Sequence, residues 1–222
     1  MDNNHYKSQK KQLILKIPAS ILSNKQLSFN QKLILGLDYT FQKKKGYNGL
    51  TNKQISQLLN IHSNIISYCR IKLIKERFLI ISKLGTEITD KHSDCFEEKD
   101  QREVYIPFEI YNHSKLNAGA KLLWGEYNSI SKGYKEYFAK RNYTANRLNS
   151  SEESITNWTK ELEKYQLFKK YELRKGYCKS QKVIITCQFK DGRKILDITH
   201  VKNPQGEWVL KRPKILGLEE WE

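Results

Sequence analysis

An α+β chain, mainly α, in which one small unit of three helices and a β-hairpin is used twice, is predicted by three observations. Identities recur in order at a displacement of 89 residues. Apolar residues recur at helical spacing behind recognisable cap residues. Short β-branched runs bounded by turn residues close each set of helices.

The repeat organises the chain. Ile17-Pro18 recurs as Ile106-Pro107, Ile21 as Ile110, Leu27 as Leu116, Lys32-Leu33 as Lys121-Leu122 and Gly36 as Gly125. Gly46-Tyr47 recurs as Gly133-Tyr134 after a small deletion. The displacement of 89 then returns, matching Leu59-Asn60, Ile66 and Leu73 with Leu148-Asn149, Ile155 and Leu162. A unit of this length exceeds a solenoid repeat and suits a small domain. The expected division is an N-terminal domain over 1–85, a polar and charged linker over 86–102, and a C-terminal domain over 103–222 whose tail adds a β-hairpin.

In unit one, Ser28 precedes a helix with Phe29, Leu33, Leu37 and Phe41 on one face. Asn48-Gly49 marks a turn, and Thr51 caps a short helix to Leu59. His62-Ser63-Asn64 separates it from a third helix, Ile65 to about Arg77, which buries Ile66, Cys69 and Leu73. Phe78–Ile81 and a return strand near Glu87–Thr89 form the hairpin. Unit two repeats the order: a helix over Ala120–Ile130, a short helix over Tyr137–Asn146, and a third capped by Ser150 with Glu153 completing a capping box. Its strands are Leu167–Leu173 and Lys182–Phe189. The tail hairpin pairs Lys194–Thr199 with Glu207–Leu210 around Asn203-Pro204-Gln205-Gly206.

Three helices, a tight turn between the second and third, and a closing hairpin are the element order of a winged helix-turn-helix domain. Two such domains in tandem are expected. The run Leu27-Ser28-Phe29-Asn30-Gln31-Lys32-Leu33, followed by Leu50-Thr51-Asn52-Lys53-Gln54-Ile55 and Asn60-Ile61-His62-Ser63-Asn64-Ile65-Ile66-Ser67, resembles the helix-turn-helix domains of phage replisome organisers and plasmid replication initiators. The likeness covers about residues 17–82 and, more loosely, 106–175. It implies sequence-specific binding of double-stranded DNA in replication initiation or replisome organisation of a mobile element. The chain departs from that pattern where such domains often place a glycine before the hairpin: Arg77 and Gln166 stand there. The usual basic start of the recognition helix is His62-Ser63-Asn64 in one unit and Ser151-Glu152-Glu153 in the other.

Charge agrees with a polyanionic partner. Forty Lys and Arg against 24 Asp and Glu give a formal +16 and an isoelectric point near 9.6. The excess is +8 in residues 1–100 and +8 in 101–222, unlike a basic tail on a neutral enzyme. Such a surface gains affinity for nucleic acid by releasing counterions. A recognition helix in a major groove reads base edges with Asn, Ser and Arg. In unit one Asn64, Ser67, Tyr68 and Lys72 share the face opposite the buried stripe, Arg70 flanks it, and Lys53 is placed for a phosphate. In unit two the corresponding residues are Thr156, Asn157 and Lys160. The acidic pair before them points to contact mainly through the hairpin, where Lys169, Lys170, Arg174, Lys175, Lys179 and Lys182 cluster, or to a second unit used for dimerisation or a protein partner.

Other classes are not expected. Phosphate-binding, dinucleotide and nucleophile-elbow motifs are missing from the sequence, and Asp191, Asp197 and His200 are too generic for a nuclease centre. No cofactor and no metal are expected: the four cysteines are scattered, and His92 with Cys95 lacks a second ligand pair. The polar start of the chain and the absence of long apolar runs predict a cytoplasmic, nucleoid-associated bacterial protein without a membrane partner. A transcriptional regulator, or an adaptor in a nucleoprotein complex with one domain docking protein, fits the same residues.

Overall fold

The computed structural model describes residues 13–93, 102–173, 181–190, 192–196 and 200–210. Among these it is α+β, with eight α-helices and small antiparallel two-stranded sheets. The order in unit one is β1 (Leu15–Ile17), α1 (Ala19–Leu22), α2 (Phe29–Lys45), α3 (Asn52–Leu59), α4 (Ser63–Lys75), β2 (Leu79–Ile81) and β3 (Thr86–Ile88). Unit two runs β4 (Val104–Ile106), α5 (Phe108–Tyr111), α6 (Ala118–Ser131), α7 (Arg141–Leu148), α8 (Glu152–Lys164), β5 (Phe168–Leu173) and β6 (Gln181–Thr186). The tail adds β7 (Gln188–Lys190), β8 (Arg193–Ile195), β9 (His200–Lys202) and β10 (Trp208–Leu210).

Local chemistry sets most of these boundaries. Ser28 and Thr51 each cap a helix and exchange bonds with the Gln three residues on, Gln31 and Gln54, in reciprocal capping boxes. Gly46 ends α2 in the left-handed region at φ 84. Gly36 and Gly125, identical across the repeat, lie where a strand crosses a helix. A Cβ would sit 2.4 Å from Ile17 Cγ1 at the first and 2.9 Å from Ile106 Cγ1 at the second.

Several expected elements are corrected. Tyr137 is not helical; it pairs through its backbone with Ile184, as Asn48 pairs with Thr86, so each hairpin gains a one-residue third strand. Helix α8 is capped by Ser151, whose Oγ accepts from the Ser154 amide, and the Ser150–Glu153 capping box is absent. Ser150 stays in the turn because its amide donates back to the Ala145 carbonyl at 2.9 Å. In the tail, Arg193–Ile195 pairs with Gln188–Lys190, and His200–Lys202 takes the expected place opposite Trp208–Leu210. The stretch expected as a free linker begins inside the first hairpin, since β3 holds Thr86–Ile88 and a 3-10 turn follows at Asp90–His92.

The two units are joined by a two-fold relation. Strand β1 pairs antiparallel with β4 in the register Leu15↔Ile106, Lys16↔Tyr105, Ile17↔Val104. Residues 15–17 are the repeat equivalents of 104–106, so the strand pairs with its own copy about the Lys16–Tyr105 position. Helices α2 and α6, also equivalents, pack on one another. Lys32 Nζ donates to the Leu148 carbonyl at 2.8 Å, and Lys121 Nζ to the Leu59 carbonyl at 2.8 Å. Both bonds are the same bond seen from either side of the axis. Each ammonium meets a carbonyl orphaned at a helix C-terminus, where the helix dipole favours positive charge. One apolar core, including Leu15, Ile17, Leu33 and Leu37 with Ile106, Leu122 and Trp124, runs through both units.

Burial moves the Lys32 ammonium down to about 7 and the Lys121 ammonium down to about 8, from 10.5. The unfolded chain therefore holds more protons than the folded one between those values and 10.5, so these groups add stability as pH rises through that window. Denaturant unfolding between pH 7 and about 9.5 is expected to show wild-type stability rising relative to Lys32→Met. Parallel curves for the two proteins would contradict it.

Candidate nucleic-acid interface

In each unit a short helix and a longer one meet at a tight turn. Helices α3 and α4 are joined by Asn60, Ile61 and His62, and α7 and α8 by Asn149, Ser150 and Ser151. Asn60 at φ 51 and Asn149 at φ 48 both take the left-handed conformation, which Asn adopts more readily than most residues. The helices hold together by burying Ile55, Leu58 and Leu59 against Ile66, Cys69 and Leu73 in unit one. In unit two Ala145 and Leu148 face Ile155, Trp158 and Leu162. The chain then turns into the hairpin through Arg77 at φ 61 and Gln166 at φ 53. Both positions take a backbone conformation usually left to glycine, without the residue.

The hairpin of unit one is tied to α4 by a polar cluster. Arg70 Nη1 donates to Asn52 Oδ1 at 2.6 Å and to the Leu50 carbonyl at 3.3 Å, and Nη2 donates to Thr86 Oγ1 at 3.0 Å. Thr86 Oγ1 in turn donates to Asp38 Oδ1 at 2.8 Å, as does Asn48 Nδ2. Burial pushes the Asp38 carboxyl up to about 6, against the opposing pull of Thr86, Asn48 and the Arg70 charge. The expectation that Arg70 flanks a base-reading face is corrected: its guanidinium points inward and braces α4, α3 and the hairpin. Unit two replaces this pair in place. Tyr127 and Thr159, the equivalents of Asp38 and Arg70, share a hydrogen bond of 2.8 Å.

The remaining sequence-predicted residues fall into three groups. In unit one Lys53, Asn64, Tyr68 and Lys72 are exposed, and Lys72 lies 3.8 Å from Glu76. Ser67 is half-buried and accepts from Asn52 Nδ2 at 3.0 Å, so it braces the turn. In unit two Asn157 and Lys160 are exposed on α8, while Thr156 is half-buried and bonds back to the Glu152 carbonyl at 2.9 Å. Lys170 and Lys182 are exposed on the hairpin and Lys169 is half-buried. Arg174, Lys175 and Lys179 lie outside the described residues.

The second hairpin is longer and thicker than the first. Tyr171, Leu173, Val183 and Ile185 form a small cluster of their own, packed against Trp208 of the tail. The His200 ring stacks on Tyr171 at 4.4 Å between centroids, and its Nε2 lies 3.6 Å from Glu136 Oε1. The tail thus backs the hairpin with an apolar layer, which stiffens the strands that carry Lys169, Lys170 and Lys182.

Sequence reading missed the apolar character of the first unit's outer face. Ile65 and Ile71 lie on the same side of α4 as Asn64, Tyr68 and Lys72, and all are exposed. A signal was present: Ile65, Tyr68 and Ile71 recur at helical spacing outside the buried stripe of Ile66, Cys69 and Leu73. Among the described residues no group of His, Cys, Asp and Glu could hold a metal ion, and no helix is long and apolar enough to cross a membrane. Comparison with protein-family models, curated proteins and solved structures finds no match to this chain.

Two substitutions separate bracing from reading. Arg70→Ala removes the charge that opposes the buried Asp38 and the donor to Asn52 and Thr86, and is expected to lower unfolding free energy by about 2–4 kcal/mol in urea titrations. Arg77→Gly removes the cost of a left-handed non-glycine residue, offset in part by unfolded-state entropy, and is expected to stabilise by about 0.5–1 kcal/mol. A loss of stability in Arg77→Gly would show that the side chain contributes more than its backbone costs.

Proposed function

We propose that this chain binds double-stranded DNA through two tandem winged helix-turn-helix units, as a replication initiator or replisome organiser of a mobile element. The observation that carries the reading is the doubled helix-turn-helix with hairpin, whose second copy turns Asn157, Lys160, Lys170 and Lys182 outward. Asn157 on α8 has the donor and acceptor needed for an adenine edge, and Lys160 on the same helix can hold a phosphate. Lys170 and Lys182 lie on adjacent strands of a hairpin that the tail supports from behind. Glu152 and Glu153 occupy the first turn of α8, where the helix dipole favours carboxylates.

Unit two is the main reader in this proposal. The helix surface of the first unit is apolar where that of unit two is polar. Nucleoid association follows from the same reading.

A second reading, regulation of transcription at an operator, is favoured by the two-fold relation. It relates α4 to α8 as the two half-sites of a palindrome are related to each other.

Duplex titrations across a salt series test the assignment. Lys160→Ala and Lys170→Ala are each expected to weaken binding to all sequences alike and to reduce the salt slope by about one. Asn157→Ala is expected to cost about 1–3 kcal/mol at its preferred site and to relax preference at one base position. Affinity untouched by all three would remove unit two as the reader. Mapping of bound genomic fragments then separates origin repeats from promoter palindromes.

A further inference from the structure

The repeat places two surfaces in equivalent positions, and they have opposite chemistry. In unit one the outward residues Ile65, Tyr68 and Ile71 of α4 and Ile80 and Ile81 of β2 are exposed, with Tyr68 at 67%, Ile71 at 66% and Ile81 at 71%. Displaced by 89 residues, the same five positions hold Ser154, Asn157, Lys160, Lys169 and Lys170. Leu84, in the turn of the first hairpin, is a further exposed apolar residue at 65%. Ile80 and Ile81 follow one another in a strand and point to opposite sides of the hairpin, so the face compared is that of the helix: Ile65, Tyr68 and Ile71 in one unit, Ser154, Asn157 and Lys160 in the other. Large aliphatic side chains left in water at successive turns of one helix mark a contact surface.

We infer that the face of α4 and the adjoining hairpin of unit one dock a protein segment with an apolar stripe and an acidic rim, such as an amphipathic helix bearing Asp and Glu. The apolar stripe follows from Ile65, Tyr68 and Ile71 at a spacing of three, which presents one ridge to a helix laid across it. The acidic rim follows from charge. Lys72 and Lys75 are exposed beside the stripe on α4, and Lys53 on α3 and Lys83 in the turn of the hairpin are exposed as well. Of the nearby carboxylates, Glu76 lies 3.8 Å from Lys72 and Glu87 is half-buried in the hairpin. Ile65 also lines a cleft of about 570 Å³ between the units, walled by Phe29, Ile61, Leu116 and Trp158, with Lys121 at its base. The cleft gives an anchoring side chain of the partner a place to insert.

Charge argues against a second copy of this chain as the occupant. A two-fold contact sets the same patch against itself, so Lys53, Lys72, Lys75 and Lys83 would oppose their own equivalents in a protein of formal charge +16. Duplex DNA fits poorly for a different reason: isoleucines contribute little to it beyond contact with thymine methyl groups. The inference does not depend on unit two binding DNA.

The full chain is titrated with a fluorescein-labelled synthetic amphipathic helix of Leu and Glu, with a Leu→Ser version of that peptide, and with duplex DNA. Fluorescence anisotropy is expected to show binding of the Leu/Glu peptide but not of its Leu→Ser version. The combined Ile65→Ser, Tyr68→Asn and Ile71→Ser substitution is expected to weaken the peptide at least about tenfold while changing duplex affinity less than about twofold. Ile81→Ser alone repeats the loss at smaller size. Lys72→Glu with Lys75→Glu weakens the acidic peptide but not its Glu→Gln version. All substituted side chains are exposed, so unchanged melting curves confirm intact folds. The proposal is overturned if the Leu/Glu peptide does not bind or binds the combined variant equally. It is also overturned if that variant loses duplex affinity as Lys160→Ala does, or if sedimentation shows a concentration-dependent dimer that the combined substitution dissolves.

Discussion

The pairing of Leu15–Ile17 with Val104–Ile106 constrains everything else in the molecule. An antiparallel ladder between a segment and its own repeat is two-fold by construction, and once it forms, α2 and α6 must cross on the same axis. The crossing brings Lys32 and Lys121 to the ends of the opposite unit's short helices. A buried lysine is costly unless its donors are used. Here each satisfies a carbonyl that the helix itself leaves open. The apolar side chains around the axis contribute on the order of 1.5–3 kcal/mol each when fully buried. They supply the adhesion, and the two lysines set its geometry.

Symmetry in the interior contrasts with divergence outside. Some positions near the axis keep their identities, as Gly36 and Gly125 do where a strand leaves no room for a Cβ. One layer out, compensating changes begin: Asp38 and Arg70, bridged through Thr86, become Tyr127 and Thr159, which bond directly. At the surface the equivalence is gone, and Tyr68 faces solvent where Asn157 stands in the other unit. A shared backbone thus carries two different kinds of contact chemistry.

How much of this could be read from sequence depended on what kind of force sets each feature. The repeated helices were legible because caps such as Ser28 and Thr51 act locally and Leu33 or Ile66 follow helical period. Strands β1 and β4 escaped notice because three residues carry no period, and their partner is 89 positions away. Tyr137 was misplaced because a single backbone bridge to Ile184 outweighs helix propensity there. For the candidate interface, Asn157, Lys160 and Lys170 are exposed. Arg70 is not, because its inward turn is set by Asn52 and Thr86, groups that meet it only after folding.

The crossed lysines also bear on ancestry. The strand ladder, the helix crossing and the lysine bonds each join one unit to the counterpart of its own surface, so for these the covalent link between the halves adds proximity. A shorter protein with a single unit would find in its twin the same strand partner, the same helix crossing and the same pair of lysine bonds. Within one chain the two outer faces need not be identical, so a greasy patch can sit on one half while the other stays basic.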